Sequence, residues 1–315
     1  MIPRLALAVL ALVLLILAAA AFLRLSQAGL GCADWPACYG DLEANAGNLQ
    51  EGTAGALVRL AHRLAALTAG ALVLALGWLV TARRPRRPAE VAAVAGMLAL
   101  LVFLAVIGRW SSLSRIPAVP LGNMLGGGAL LALAWLLWLL QRPALRPTPF
   151  GAPRTLMAAL AWTALAVVFV QSGLGVLVSA KYAALACGGW FSCPGASPQH
   201  IGPGIHPFAG AAALGEGALA TLQWAHHLGA AATLALIAPL ALALAGTPGG
   251  RGTAAVILAT AIAQNALGIA AMRLDHPLPL VMAHNLVANL MLLALVSATH
   301  KFSRGPRPRM AAMPA

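Results

Sequence analysis

Charge is what this chain has least of. Only 9% of its 315 residues are Asp, Glu, Lys or Arg, where a soluble domain carries about a quarter. A water-facing globular surface is therefore excluded. Acidic residues are scarcest, seven against twenty basic ones, for a net charge of +13. Tyrosine occurs twice and aromatics make up 5%, and alternating apolar–polar segments are few, which excludes an outer-membrane barrel with aromatic girdles. There is no Cys-x-x-Cys-His for covalent haem attachment and no glycine-rich nucleotide fingerprint. What fills the chain instead is apolar: 61% hydrophobic residues and a mean hydropathy of +0.87.

A helix crosses a bilayer with roughly 20 apolar residues, and eight such stretches are present, at about 5–24, 54–82, 89–108, 119–141, 155–178, 218–245, 252–271 and 279–299. The first follows Arg4 and carries small residues at Ala18–Ala21, as a signal peptide does. Its apolar run exceeds the usual length of such a segment, so it is read as a retained helix. Thirteen of the twenty basic residues fall on one side of the spans: Arg4, the run Arg83 to Arg87, Arg142, Arg146, Arg154, Arg251 and the tail. By the positive-inside rule that side is cytoplasmic, with both termini there, and the protein is expected in the inner membrane. The basic runs then act as orientation signals and no nucleic-acid partner is expected; the partner of the surface is membrane lipid.

The chain repeats itself. Ala28 to Gly40, with Cys32, Asp34, Trp35 and Cys38, aligns without a gap on Ala183 to Gly195, with Cys187, Trp190 and Cys193. Leu60-Ala-His62-Arg63-Leu64 resembles Trp224-Ala-His226-His227-Leu228, and Gly122-Asn123 resembles Ala283-His284. Four spans per half keep both halves in one orientation. The expected fold is an all-α membrane protein of eight transmembrane helices, as two parallel four-helix repeats related by a pseudo-twofold along the membrane normal. Residues 1–148 form the first half, 149–300 the second, and 301–315 a basic cytoplasmic tail.

The four cysteines form two Cys-x5-Cys pairs in outer loops, a disulfide-permissive setting. Intraloop disulfides Cys32–Cys38 and Cys187–Cys193 are expected; a zinc site of four thiolates is the alternative, although the spacing is wider than usual ligand pairs. Ionisable residues inside spans mark function by default. His226 lies about eight residues into its span and His284 about five. At about 1.5 Å per residue that is one level of the bundle, so the two imidazoles can face each other as ligands of one haem iron. The plain alternative for each is a hydrogen bond to a neighbouring helix. His227 points roughly 100° away from His226. His62 is the repeat mate of His226, but Asn123 stands where a mate of His284 belongs. Arg59 and Arg63 flank His62 and suit a ligand's carboxylates, or else reach the interface with their charged ends.

At these residues the chain resembles the heme A synthase family, whose members oxidise a methyl group of heme O to the formyl group of heme A. The resemblance rests on Arg24 to Cys38, Ala61-His62-Arg63, Gln171-Ser-Gly-Leu-Gly175, Ala183 to Cys193, His226, Gln264-Asn-Ala-Leu-Gly268 and His284 to Ala288, and spans about 20–298. It implies a heme b held by His226 and His284 in the second half, and heme O as substrate near a catalytic His62 in the first. Arg24, Arg59 and Arg63 become the cofactor-binding candidates, for haem propionates. It also implies an oxidoreductase in haem-copper oxidase maturation, an electron donor not visible in the sequence, and heme O synthase and oxidase assembly proteins as neighbours. Two positions depart from the family pattern: Arg59 stands where a glutamate is usual, and Asn123 where a second histidine is. They keep open a haem-binding assembly factor without synthase activity. A thiol or quinone oxidoreductase using the cysteine pairs and a transporter are further alternatives.

Overall fold

The computed structural model describes residues 1–30, 32, 34–41, 53–109, 116–142, 154–190, 192–247 and 249–303. It is all helical: α1 (Ile2–Gln27), α2 (Thr53–Ala82), α3 (Pro88–Gly108), α4 (Ala118–Leu140), α5 (Arg154–Ala180), α6 (Glu216–Ala245), α7 (Arg251–Arg273) and α8 (Leu278–Ser303). Each is long and apolar enough to cross a membrane. The eight expected spans are thus all present, most running a few residues past the purely apolar stretch. Backbone groups have no water partner in hydrocarbon, so the helical ladder continues until the interface. Pro239 is accommodated inside α6. The basic tail beyond residue 303 lies outside the described residues.

The helices close into two rings of neighbours. In the first half α1 packs on α2, α2 on α3, α3 on α4 and α4 on α1; in the second, α5 packs on α6, α6 on α7, α7 on α8 and α8 on α5. The rings meet where α4 touches α5 and α8, and α1 touches α8. The close approach is set on α4 by three consecutive buried glycines. A Cβ on Gly127 would run into Leu17 of α1, and one on Gly126 into Leu104 and Phe103 of α3. Small residues of this kind let membrane helices approach where no hydrophobic drive separates protein from lipid.

Each ring has its own apolar core, displaced toward one end. In the first it includes Val9, Val13, Val73, Leu76, Met97 and Leu131; in the second Val168, Ile237, Leu240, Ile257, Leu295 and Phe302. That end is also the basic one. There Glu90, buried, accepts hydrogen bonds from Arg83 at 2.8 Å and Arg87 at 3.2 Å. Glu90 is thereby committed to holding the α2–α3 connection.

At the opposite end the connections fold over the bundle. Lys181, fully buried at the end of α5, donates to the carbonyls of Gly204 at 2.6 Å and His206 at 2.8 Å and ties down the α5–α6 connection. Gln223 of α6 holds the same connection from below, donating to Ala184 O at 2.8 Å and accepting from Cys187 N at 2.9 Å. From the first half, Trp35 packs on Tyr39 and His276, and Tyr39 meets Tyr182 edge-on at 5.7 Å. Lys181→Met removes the ammonium and leaves those carbonyls unpaired, at a cost of about 2–3 kcal/mol. We expect a lower thermal midpoint in detergent and faster proteolysis within residues 197–215, with the rest of the chain protected.

Candidate functional site

The apolar cores stop short of the folded-over end, and in the second ring a cavity takes their place. The space between its lining atoms, mouth and open solvent included, is about 1600 Å³. Its walls come from both halves: Arg24, Leu25 and Tyr39 from the first and Met124, Leu125 and Gly128 of α4, facing α5, α6, α7 and α8.

His226 of α6 and His284 of α8 line this cavity together, with ring centroids 6.4 Å apart and planes at 71°. The level match expected from residue counting is thus realised. An iron bound at about 2 Å by one nitrogen of each imidazole sets facing centroids roughly 6 Å apart, so the pair has the separation a two-histidine iron site needs. Each ring is held by the preceding helix. His226 Nδ1 lies 3.0 Å from Gln171 Nε2, which also donates to the His226 carbonyl at 2.8 Å. His284 Nδ1 donates to the Gln264 main-chain oxygen at 3.1 Å, and its Nε2 meets the Gln264 carboxamide at 3.0 Å. Gly175 and Gly268, one turn further on, leave the room: a Cβ there would stand 3.0 Å from His226 Cε1 and 3.2 Å from His284 Cε1. Neither glutamine was singled out as a site residue in the sequence. The signal was there, in two copies of Gln-x-x-Leu-Gly.

Arg24 reaches the cavity from α1 and hydrogen-bonds Ser179 of α5. The two residues are 155 positions apart, the offset that relates the two cysteine motifs. Its Nε is buried without a partner, and no Asp or Glu is among the described residues that line the cavity. An intramembrane guanidinium in that setting calls for an anionic ligand. Of the other candidates, His62, Arg59 and Arg63 are on α2 and are not among the lining residues. Asn123 is on α4, where Phe103 and Ile107 of α3 press against the neighbouring Gly122.

Both cysteine pairs lie at disulfide-bonding distance within their own connections, Cys32 with Cys38 and Cys187 with Cys193. No group of four thiolates forms among the described residues; the single metal-compatible group there is Cys187, Cys193 and His227. His227, turned away from His226, stacks on Trp190 with centroids 5.0 Å apart and planes 4° from parallel. The second disulfide loop is so clamped against the cavity roof. His276, also lining the cavity, has its pKa lowered by burial against the opposing charge of Asp275, and burial raises that of Tyr39.

The fold and site define a multi-pass helical membrane protein with a histidine pair facing across an interior cavity. A family model described as cytochrome oxidase assembly protein matches residues 3–296, and the chain belongs to that family. It is similar to the heme A synthase of Shewanella oneidensis, with 31% identity over 308 residues, covering 91% of this chain and 92% of that protein. For the loops, alkylation of the denatured chain without reductant is expected to find no free thiol. After reduction it is expected to label all four cysteines.

Proposed function

We propose that this chain is a heme A synthase: an oxidoreductase that converts a methyl group of heme O to the formyl group, using a heme b held by His226 and His284. The observation that carries the reading is the His226–His284 pair, 6.4 Å between centroids across a cavity that also offers the unpartnered Nε of Arg24. The residues present fit a haem on three counts. Two imidazoles face each other at the separation for a shared iron. A guanidinium without a carboxylate partner suits a propionate. The remaining walls are largely apolar, as a porphyrin face requires. When bound there, a haem supplies one-electron chemistry at its iron.

The chain's own residues do the rest. His226 and His284 would hold the metal, and Arg24 would take the carboxylate edge and orient the ring. Trp190, stacked on His227, and Tyr39 roof the cavity and limit water. Heme O is assigned to the first half, near His62, with Arg59 and Arg63 toward its propionates; the departures at Arg59 and Asn123 make this the divergent part of the molecule. The electron donor is a separate component. The basic end, with Arg83, Arg84, Arg86 and Arg87, faces the cytoplasm, and the disulfide loops face the other side of the inner membrane.

A second reading has one observation in its favour. Where the second half places His284 against Gln264 and Gly268, the first half places Asn123 beside Gly122, filled by Phe103 and Ile107. That is apolar packing, and it suits a haem-binding assembly factor that holds heme b without making heme A.

The test is to purify the protein, record reduced-minus-oxidised spectra and identify the extracted haems after co-supply of heme O. A low-spin heme b spectrum abolished in His226→Ala and in His284→Ala, with heme A or its hydroxylated precursor in the extract, is expected. Arg24→Ala is expected to keep the spectral type and lower haem content several-fold, since a charge-assisted hydrogen bond contributes about 1.5–3 kcal/mol. Heme b alone, with heme O supplied and unaltered, selects the assembly-factor reading. No haem in the unaltered protein rejects both.

A further inference from the structure

The two facing histidines are held in different ways. His284 Nδ1 is fixed by a main-chain carbonyl, that of Gln264, which no side-chain replacement removes. His226 Nδ1 depends on a side chain, Gln171. The Gln171 carboxamide is itself seated with care. Its Nε2 donates to the His226 carbonyl at 2.8 Å. Its far end lies in a gap on α6 that exists only because residue 229 is glycine: a Cβ there would collide with Gln171 Oε1 and Cδ. Oε1 is buried and has no hydrogen-bond partner. An orphaned buried acceptor costs about 1–3 kcal/mol, so its retention beside a ring nitrogen calls for a reason.

A metal-bound imidazole supplies one. Its second nitrogen carries a proton and donates it to an acceptor that fixes ring orientation and raises ligand basicity. For His284 the Gln264 carbonyl is that acceptor. For His226 the one carboxamide within reach of Nδ1 is Gln171. It faces the ring with Nε2, a donor, and a turn of the carboxamide that gives up its bond to the His226 carbonyl brings the unpartnered Oε1 to Nδ1 as acceptor. We propose that Gln171, seated by Gly229, is the positioning residue that sets the orientation and donor strength of His226 as an iron ligand. The Gln264 side chain has no such part, because its main chain already fills it. This inference rests on the haem reading of the His226–His284 pair and adds to it an asymmetry between the two axial ligands.

The experiment compares the purified full-length protein with Gln171→Ala, Gly229→Ala and Gln264→Ala, each with its haem. The readouts are haem affinity, the low-spin g-values of the ferric form and the reduction midpoint. Gln171→Ala is expected to keep two-histidine ligation and lower haem affinity by roughly tenfold. Its g-values shift and its midpoint becomes more positive, since an imidazole that loses its acceptor donates less charge to ferric iron. Gly229→Ala, which displaces the carboxamide while keeping the glutamine, is expected to shift both in the same direction. Gln264→Ala is expected to match the unaltered protein in g-values and midpoint. The proposal is overturned if Gln171→Ala leaves g-values and midpoint unchanged, or if Gln264→Ala moves them as far. A merely structural glutamine lowers haem content without moving either spectroscopic quantity. If the unaltered protein lacks a spectrum dependent on His226 and His284, the haem reading itself falls and this inference with it.

Discussion

Hydrocarbon offers no hydrogen bonds, and the interior of this protein is organised by that fact. Every polar group carried into the bundle has to find its partner within the bundle. Most do so at once. Asn265, Asn285, Asn289, Ser172 and Thr233 each bond a carbonyl one turn earlier on their own helix. Such residues line the cavity without asking anything of it. Among the described residues seven buried polar atoms are left over. Five of them, Arg24 Nε, Gln171 Oε1, Gln264 Oε1, His227 Nδ1 and His276 Nδ1, belong to residues of the cavity wall; Ser26 Oγ and Gln141 Nε2 do not. Polar capacity is concentrated in one place, on a scaffold that elsewhere satisfies it locally, and this is what distinguishes a site from a gap in packing.

The same constraint explains which features could be read from the chain before its fold. Span number follows from runs of apolar residues, because a polar interruption in lipid is too costly to be hidden. The cysteine pairs were legible because both partners lie in one loop. The His226–His284 pairing was legible because both helices enter from one side, and helical rise converts residue counts into depth. Arg24 was a candidate from resemblance alone. Its contact with Ser179 joins α1 to α5, which pack in different rings, and no local pattern encodes that. Lys181 is the sharpest omission. A lone lysine after a span looks like an interfacial charge, and only the folded connection reveals carbonyls converging on it.

Gln171 and Gln264 show a different limit. Their motif copies were visible, yet glutamine in a span reads most simply as a helix-to-helix hydrogen bond. That reading is correct as far as it goes, for each bonds the next helix. What the sequence lacks is the identity of the atom bonded. The two copies diverge there: the Gln171 side chain meets His226 at Nδ1, whereas the Gln264 side chain meets His284 at Nε2 and leaves Nδ1 to its own main-chain carbonyl. Two copies of Gln-x-x-Leu-Gly therefore present different atoms to their histidines.

The contrast between the halves follows from the same geometry. The second half places a glycine next to each histidine ring, where a Cβ would press on the imidazole at 3.0 to 3.2 Å and displace it. In the first half the glycines move to the other helix. Gly122 and Gly126 of α4 receive Ile107 and Phe103 of α3, so bulk and gap have exchanged sides. Replacing Asn123 with histidine would not by itself recreate the second-half arrangement, since the glycines of α4 beside that position, Gly122 and Gly126, are already packed against aromatic and branched side chains of α3. The first-half differences are thus a linked set of packing choices, not two isolated substitutions. On the proposed reading, heme O beside His62 would meet no imidazole from position 123, and one side of its iron would be left for the reaction, as a substrate site needs and an electron-transfer site does not.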